Sequence, residues 1–216
     1  MKLNKQLKTI LPLAALAGLA VTANAAVIIT PTGATSSVGN LSGRPIGATI
    51  DGSGLSGGGT SGNILTETHN VATGSEYWIG AGTTDITLDF DLNDVANVDT
   101  FDVDSIHLWN YAPSNNTTNR GLGVVDIYFS TDNGSNYTLV PATVTFAEAT
   151  TNVAATVQSK SFATVSGVTD IRLIADNSGS GTHTSFSEIR FGVVPEPSTT
   201  ALLGLGGLAL ILRRRK

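Results

Sequence analysis

Residues 86–92 read Ile86-Thr87-Leu88-Asp89-Phe90-Asp91-Leu92. Apolar side chains fall at every second position with polar ones between, the period of a strand with one face in a core and one in water. The alternation returns at Ile171-Arg172-Leu173-Ile174-Ala175 and at Ile189-Arg190-Phe191-Gly192-Val193. Shorter runs that read as strands stand at Val27–Thr30, Ser105–Tyr111, Val124–Ser130, Asn136–Val140, Thr143–Phe146 and Lys160–Val165. No stretch between the two ends of the chain carries a sustained helical period. About eight to ten short strands separated by turn signals predict an all-β body, an antiparallel β-sandwich.

Outward from these strands the connections also speak. Asp132-Asn133-Gly134-Ser135 is the sharpest turn signal, because Asn-Gly accepts the positive backbone dihedrals of a tight hairpin. Residues 39–62 hold nine glycines in 24 positions and few apolar anchors, so they read as a loop held at Ile46, Ile50 and Leu55. No internal repeat or linker divides the body, and a core of this length suits one domain, residues 26–193. The absence of cysteine in 216 residues excludes a disulfide scaffold, a cysteine-ligated metal centre and a thiol enzyme. Seven of the twelve basic residues lie in the two tails, which leaves residues 26–194 with five bases against sixteen acids, a net charge of −11. A surface this acidic repels phosphate backbones, so nucleic acid is excluded as a partner.

The two ends read as addresses. Residues 1–25 join Lys2, Lys5 and Lys8 to an apolar stretch from Ile10 to Val21 and then Ala23-Asn24-Ala25, the order of a secretory signal peptide cut by signal peptidase after Ala25. At the other end, Val194-Pro195-Glu196-Pro197 precedes an apolar run from Ala201 to Leu212 and the cluster Arg213-Arg214-Arg215-Lys216. As a helix, residues 200–212 reach about 20 Å against a hydrocarbon core of about 30 Å, a short transmembrane helix that terminal arginines can help to hold. Residues 194–216 closely resemble the PEP-CTERM sorting signal of Gram-negative bacteria. The resemblance implies that Pro195, Glu196 and Pro197 are the recognition element for an exosortase, that the chain rests transiently in the inner membrane, and that it ends at the cell surface or in the extracellular matrix.

Several motifs in the body fail on context. Gly54-Leu55-Ser56-Gly57-Gly58 matches the GxSxG nucleophile elbow, and residues 52–57 match GxGxxG, yet neither lies between a strand and a helix. Asp89, Asp91 and Asn93 begin like an EF-hand loop, but Asp94 and Thr100 stand where glycine and glutamate are needed. His69, His107 and His183 are too far apart in sequence for a zinc spacing and read as surface or loop residues. Nothing selects an acid and base pair from the sixteen carboxylates, so an extracellular glycan hydrolase stands only as the lesser alternative. Trp78 and Trp109 read as core.

An ordered series runs through the body: Ile50-Asp51-Gly52, Tyr77-Trp78-Ile79, residues 86–92, Leu108-Trp109-Asn110, Asn119-Arg120-Gly121, the hairpin at 131–137, Arg172-Leu173 and Glu188-Ile189. Together they resemble the galactose-binding-like, or discoidin-like, jelly-roll β-sandwich. That resemblance implies a structural calcium held by the early aspartate loop and the last strand, which nominates Asp51 and Glu188; the alternative is that Asp51 makes a turn and Glu188 bonds backbone amides. It also implies a ligand site on the loops at one end of the sandwich. Tyr111, Asn115, Asn116, Arg120 and His183 supply the ring, amide and guanidinium groups that sugars use there. The expectation is an exported, non-enzymatic protein whose partner is extracellular polysaccharide; the alternative is a structural or adhesive surface protein without a specific ligand.

Overall fold

The computed structural model describes residues 27–41, 43–81, 85–93, 99–114, 120–176 and 183–195. The expected signal peptide and the apolar run before the terminal arginines lie outside the described residues. Eleven strands follow in chain order: β1 (Val27–Ile29), β2 (Gly33–Ser36), β3 (Thr68–His69), β4 (Trp78–Ala81), β5 (Ile86–Asp91), β6 (Phe101–Asn110), β7 (Val124–Ser130), β8 (Thr138–Thr145), β9 (Ala155–Val168), β10 (Asp170–Asp176) and β11 (His183–Val193). Helical structure among the described residues is limited to two short 3-10 turns, Ile46–Thr49 and Ile64–Thr66.

The strands form two antiparallel sheets. One has the order β1-β11-β6-β9-β3, with β4 also paired to β11; the other has the order β2-β5-β10-β7-β8. Strand β11 is the spine of the first sheet. It pairs along one side with β6, and along the other with β4 at its start (His183↔Ala81) and β1 at its end (Val27↔Val193).

The core lies where the alternation puts it. Ile86, Leu88 and Phe90 of β5 and Ile171 and Leu173 of β10 are fully buried, and they face Ile106, Leu108, Ile189 and Phe191 of the other sheet. Phe90 bridges the sheets, with ring centroids 6.4 Å from Phe186 and 5.8 Å from Phe191. On the solvent side of the second sheet, Arg172 sits opposite Asp89 in register and bonds it through Nε at 2.6 Å and Nη2 at 3.0 Å.

Three departures from the sequence reading have physical causes. Strand β8 is continuous where two runs were expected, because Pro141 sits in an edge strand at a bulge, where a missing N–H costs no ladder bond. Strand β9 is longer than its apolar run, since for most of its length only β6 pairs with it and its side chains remain largely in water. Strand β11 is buried on both faces from Thr184 to Val193, although Arg190 and Gly192 lie on the face away from the sandwich core. That outer face is covered by the glycine-rich segment. Leu55, with Ile64 and Leu65, packs on Trp109, Ala112 and Ala155 to make a second, smaller core.

The hairpin between β7 and β8 is as the Asn-Gly pair predicts. Asn133 and Gly134 have φ of 54° and 71°, and the Ser135 N–H donates to the Asp132 carbonyl at 3.3 Å. Phe90→Ala should lower the unfolding free energy by about 3–5 kcal/mol, whereas Thr87→Ser on the opposite face of β5 should stay within about 0.5 kcal/mol. Urea denaturation of the two variants checks both figures.

Candidate functional site

The glycine-rich segment carries little apolar weight, so polar bonds must hold it down. Glu67, only 5% exposed, does this from inside the loop. Its Oε2 accepts the N–H groups of Gly57 at 2.8 Å and Gly59 at 3.1 Å, and its Oε1 accepts the Ser61 N–H at 3.2 Å and the Ser61 hydroxyl. Burial works against the charge, but these four donors together outweigh it and hold the carboxyl below its ordinary value. Gly57 is required here because a Cβ would come within 2.7 Å of the Glu67 carboxylate. His69, fully buried, ties the two flanks of the loop together. Its Nε2 lies 2.9 Å from the Ser53 carbonyl and 3.0 Å from that of Glu76, and its Nδ1 lies 3.1 Å from that of Asn70. His107 is buried as well, between the hydroxyls of Ser105 and Ser159. Burial lowers its pKa against the pull of Asp104. Both are therefore structural histidines of the interior, not the surface residues that their lone positions in the sequence suggested.

The nominated calcium pair shows a different chemistry. Glu188 is fully buried, its Oε2 accepts the Gly52 N–H at 3.2 Å, and its Oε1 accepts Arg190 Nη1, which also donates to the Ile189 carbonyl at 2.8 Å. Asp51 is exposed, and its Oδ1 accepts the Ser53 N–H at 2.7 Å in a local turn. Calcium asks for six to eight converging oxygens. Here an arginine faces one carboxylate oxygen and an amide hydrogen the other, and no group of three or more acidic, histidine or cysteine side chains among the described residues could hold a metal. These residues fit an internal guanidinium, not a calcium ion. Burial pushes the Glu188 carboxyl up to about 8 while Arg190 pulls it down, and burial likewise lowers Arg190.

At the end of the sandwich where β11 begins, a cleft of about 290 Å³ is lined by Arg44, Thr73, Tyr77, Tyr111, Ser114 and Arg120 with Leu41, Ala72 and Ile79 beneath. Tyr77 and Tyr111 form its floor, with ring centroids 5.6 Å apart. Arg44 lies over the Tyr77 ring at 5.3 Å and donates from Nε to the Tyr77 hydroxyl at 2.8 Å. The Arg120 backbone is fixed twice. Its N–H donates to Glu148 Oε1 at 2.9 Å and its carbonyl accepts the Ser185 N–H at 2.6 Å.

Of the sugar-contact residues read from sequence, the fold brings Tyr111 and Arg120 into this cleft. Tyr111 is only 2% exposed, however, so it is a floor and not the projecting ring that was expected. His183 stands close enough to feel the charge of Arg120 but does not line the cleft; burial first, then that charge, lowers its pKa. Asn115 and Asn116 fall outside the described residues. Arg44, Thr73 and Tyr77 were missed. The available signal was scarcity, since Arg44 is one of five bases in an acidic body. Trp78 and Trp109 are fully buried, as read.

A larger cleft of about 680 Å³ lies between β1 and the glycine-rich segment, but the one formally charged side chain among the described residues that line it, Arg190, is already paired with Glu188. The GxSxG serine is no nucleophile. Ser56 Oγ accepts the Thr68 N–H at 3.3 Å, while the imidazole of His69 is turned to the three carbonyls.

Comparison with known proteins separates the tail from the body. Residues 193–216 match the family model described as the PEP-CTERM protein-sorting motif. The tail is a PEP-CTERM sorting motif. Of this PEP-CTERM element, residues 193–195 are described, and Glu196 and Pro197 lie beyond them. The F5/8 type C domain of a Bacteroides fragilis protein superposes with a TM-score of 0.50 at 13% identity, over 77% of this chain and 95% of that one. The family 32 carbohydrate-binding module of C. perfringens NanJ, solved with galactose, reaches 0.48 at 18% identity, over 77% and 99%. A chitosan-binding module from a Paenibacillus sp. chitosanase/glucanase reaches 0.48 at 17%, over 74% and 92%. At such identities the likeness is one of fold, and the body has the discoidin-like β-sandwich fold. No curated protein matches the chain in sequence.

Three outcomes follow for the loop. Calcium chloride and EDTA should leave the melting temperature unchanged, while Arg190→Met, which leaves the buried Glu188 carboxyl without its guanidinium, should cost about 1–3 kcal/mol by chemical denaturation. Because the Glu67 pKa is depressed on folding, its contribution is present above the ordinary value of 4.5 and is lost as pH falls through the folded value. Glu67→Gln should therefore flatten the fall of melting temperature with acid below about pH 4.5 and cost about 1–3 kcal/mol at neutral pH.

Proposed function

We propose that the chain is an exported, non-catalytic carbohydrate-binding protein of the cell surface or extracellular matrix. The observation that carries this reading is the cleft of Arg44, Thr73, Tyr77, Tyr111, Ser114 and Arg120 at the loop end of the sandwich. Hydroxyl walls and planar guanidinium groups over a buried tyrosine floor are the chemistry that holds a sugar by its edge oxygens. Loops at the end of a rigid β-sandwich are also where binding residues collect, since the scaffold fixes them while they stay open to solvent. The PEP-CTERM motif supports the other half of the reading: Pro195, Glu196 and Pro197 serve as substrate for an exosortase, after signal peptidase has removed residues 1–25. The role assigned to the body is binding: Ser56, His69 and His107, the candidates read from the sequence, are engaged in structural bonds.

A glycan array probed with the purified protein tests this reading. Retention on a defined set of polysaccharides, lost on Arg120→Gln at unchanged melting temperature, is the expected outcome. An array with no bound glycan overturns it and leaves the structural or adhesive alternative.

A further inference from the structure

We propose that the cleft between β1 and the glycine-rich segment is a second binding site, one that takes an acetyl group carried on an uncharged saccharide. It is separate from the cleft at the loop end, and its test does not depend on that one.

With about 680 Å³ the cleft has room for a sugar residue and its substituent, and Arg190 is the strongest donor that lines it. That side chain is 2% exposed, and a guanidinium has five N–H donors to place. Nη1 donates to the Glu188 carboxylate and to the Ile189 carbonyl. Nε, by contrast, is buried with no partner among the described residues. Nη2, at the other end of the same donor edge, lies 3.5 Å from where a Cβ on Gly59 would stand, and Gly59 lines the cleft. Folded interiors rarely leave such a donor unmet, because nothing then offsets the loss of its water. An acceptor that enters beside Gly59 meets this edge of the guanidinium.

The charges around Arg190 require that acceptor to be neutral. Glu188 already balances the guanidinium, and Asp51 and Glu67 act on it as well, so a further anion would be repelled. A cation is no better placed, since no carboxylate lines the cleft among the described residues. Beside the guanidinium, Ile28, Ile64 and Leu65 offer apolar surface. A hydroxyl would leave that surface uncovered and a carboxylate would bring charge, whereas an acetyl group sets a carbonyl oxygen next to a methyl. N-acetyl and O-acetyl substituents share this chemistry. At the rim, the exposed Thr30 and Asn63 can bond the hydroxyls of the sugar that carries the group. The loop wall is formed in advance, because Gly59 and Ser61 are both tied to Glu67.

Isothermal titration of the purified protein tests this with three neutral oligomers of one backbone: cellotriose, O-acetylated cellotriose and tri-N-acetylchitotriose. At least one acetylated oligomer should bind, with cellotriose roughly 10- to 100-fold weaker, and the one that binds tells the ester source from the amide. Gly62 lines the cleft and has open space where a Cβ would stand, so Gly62→Trp should fill the cleft and abolish binding at unchanged melting temperature. Asn63→Trp carries the test if that variant does not fold. Arg120→Gln, at the loop end, should leave this binding as it was. Equal affinity for cellotriose overturns the proposal. Binding lost in Arg120→Gln and kept in the tryptophan variants overturns it too, since the acetyl group then lies in the other cleft. Failure of all three oligomers to bind overturns this site alone, and the glycan array still decides the reading of the loop end.

Discussion

A carboxylate taken out of water must be given donors in its place, and two such carboxylates organise this protein. Glu67 gathers the amides of Gly57, Gly59 and Ser61, and Glu188 takes the amide of Gly52 with the guanidinium of Arg190. Between them they fasten a glycine-rich stretch of chain that could not fold by apolar burial alone. Once fastened, that stretch covers Trp109 and the outer face of β11, and a two-layer sandwich gains a third layer on one side. The hydrophobic core closes the sandwich, but these hydrogen bonds decide what lies on top of it.

The same bonds set the wall of the cleft. His69, two residues after Glu67, joins the carbonyls of Ser53 and Glu76, so the chain leading into Tyr77 is tied to the buried loop. Tyr77 in turn fixes Arg44, and the opposite wall is set by the bonds of Glu148 and Ser185 to the turn at Arg120. An open surface site is thus built on segments that are each held from below, which keeps its cost in conformational entropy low.

How much of this could be read from the chain depends on whether a residue's surroundings leave a trace in its neighbours. The alternation at residues 86–92 did, because a half-buried strand imposes period two on consecutive side chains. The Asn133-Gly134 turn did as well, since positive φ restricts residue type. The discoidin-like series and the PEP-CTERM tail were legible as ordered motifs. Glu67 left no trace, because its partners are main-chain N–H groups that any residue carries. Arg190 read as a solvent-facing strand position, because the layer that buries it comes from more than a hundred residues away in sequence. Tyr111 was read as a contact residue and lies at the cleft, but its burial depends on packing against Tyr77, which no local pattern reports.

Strand β11 begins beside the cleft and ends at Val193, where the sorting motif starts. Eleven extended residues span roughly 35 Å, so the strand acts as a built-in stalk. Whatever receives the tail, the cleft is presented on the far side of the domain from it. The start of the body leaves from the tail's edge too, since Val27 pairs with Val193. Both ends of the body therefore leave from one pole of the molecule, and the cleft opens at the other.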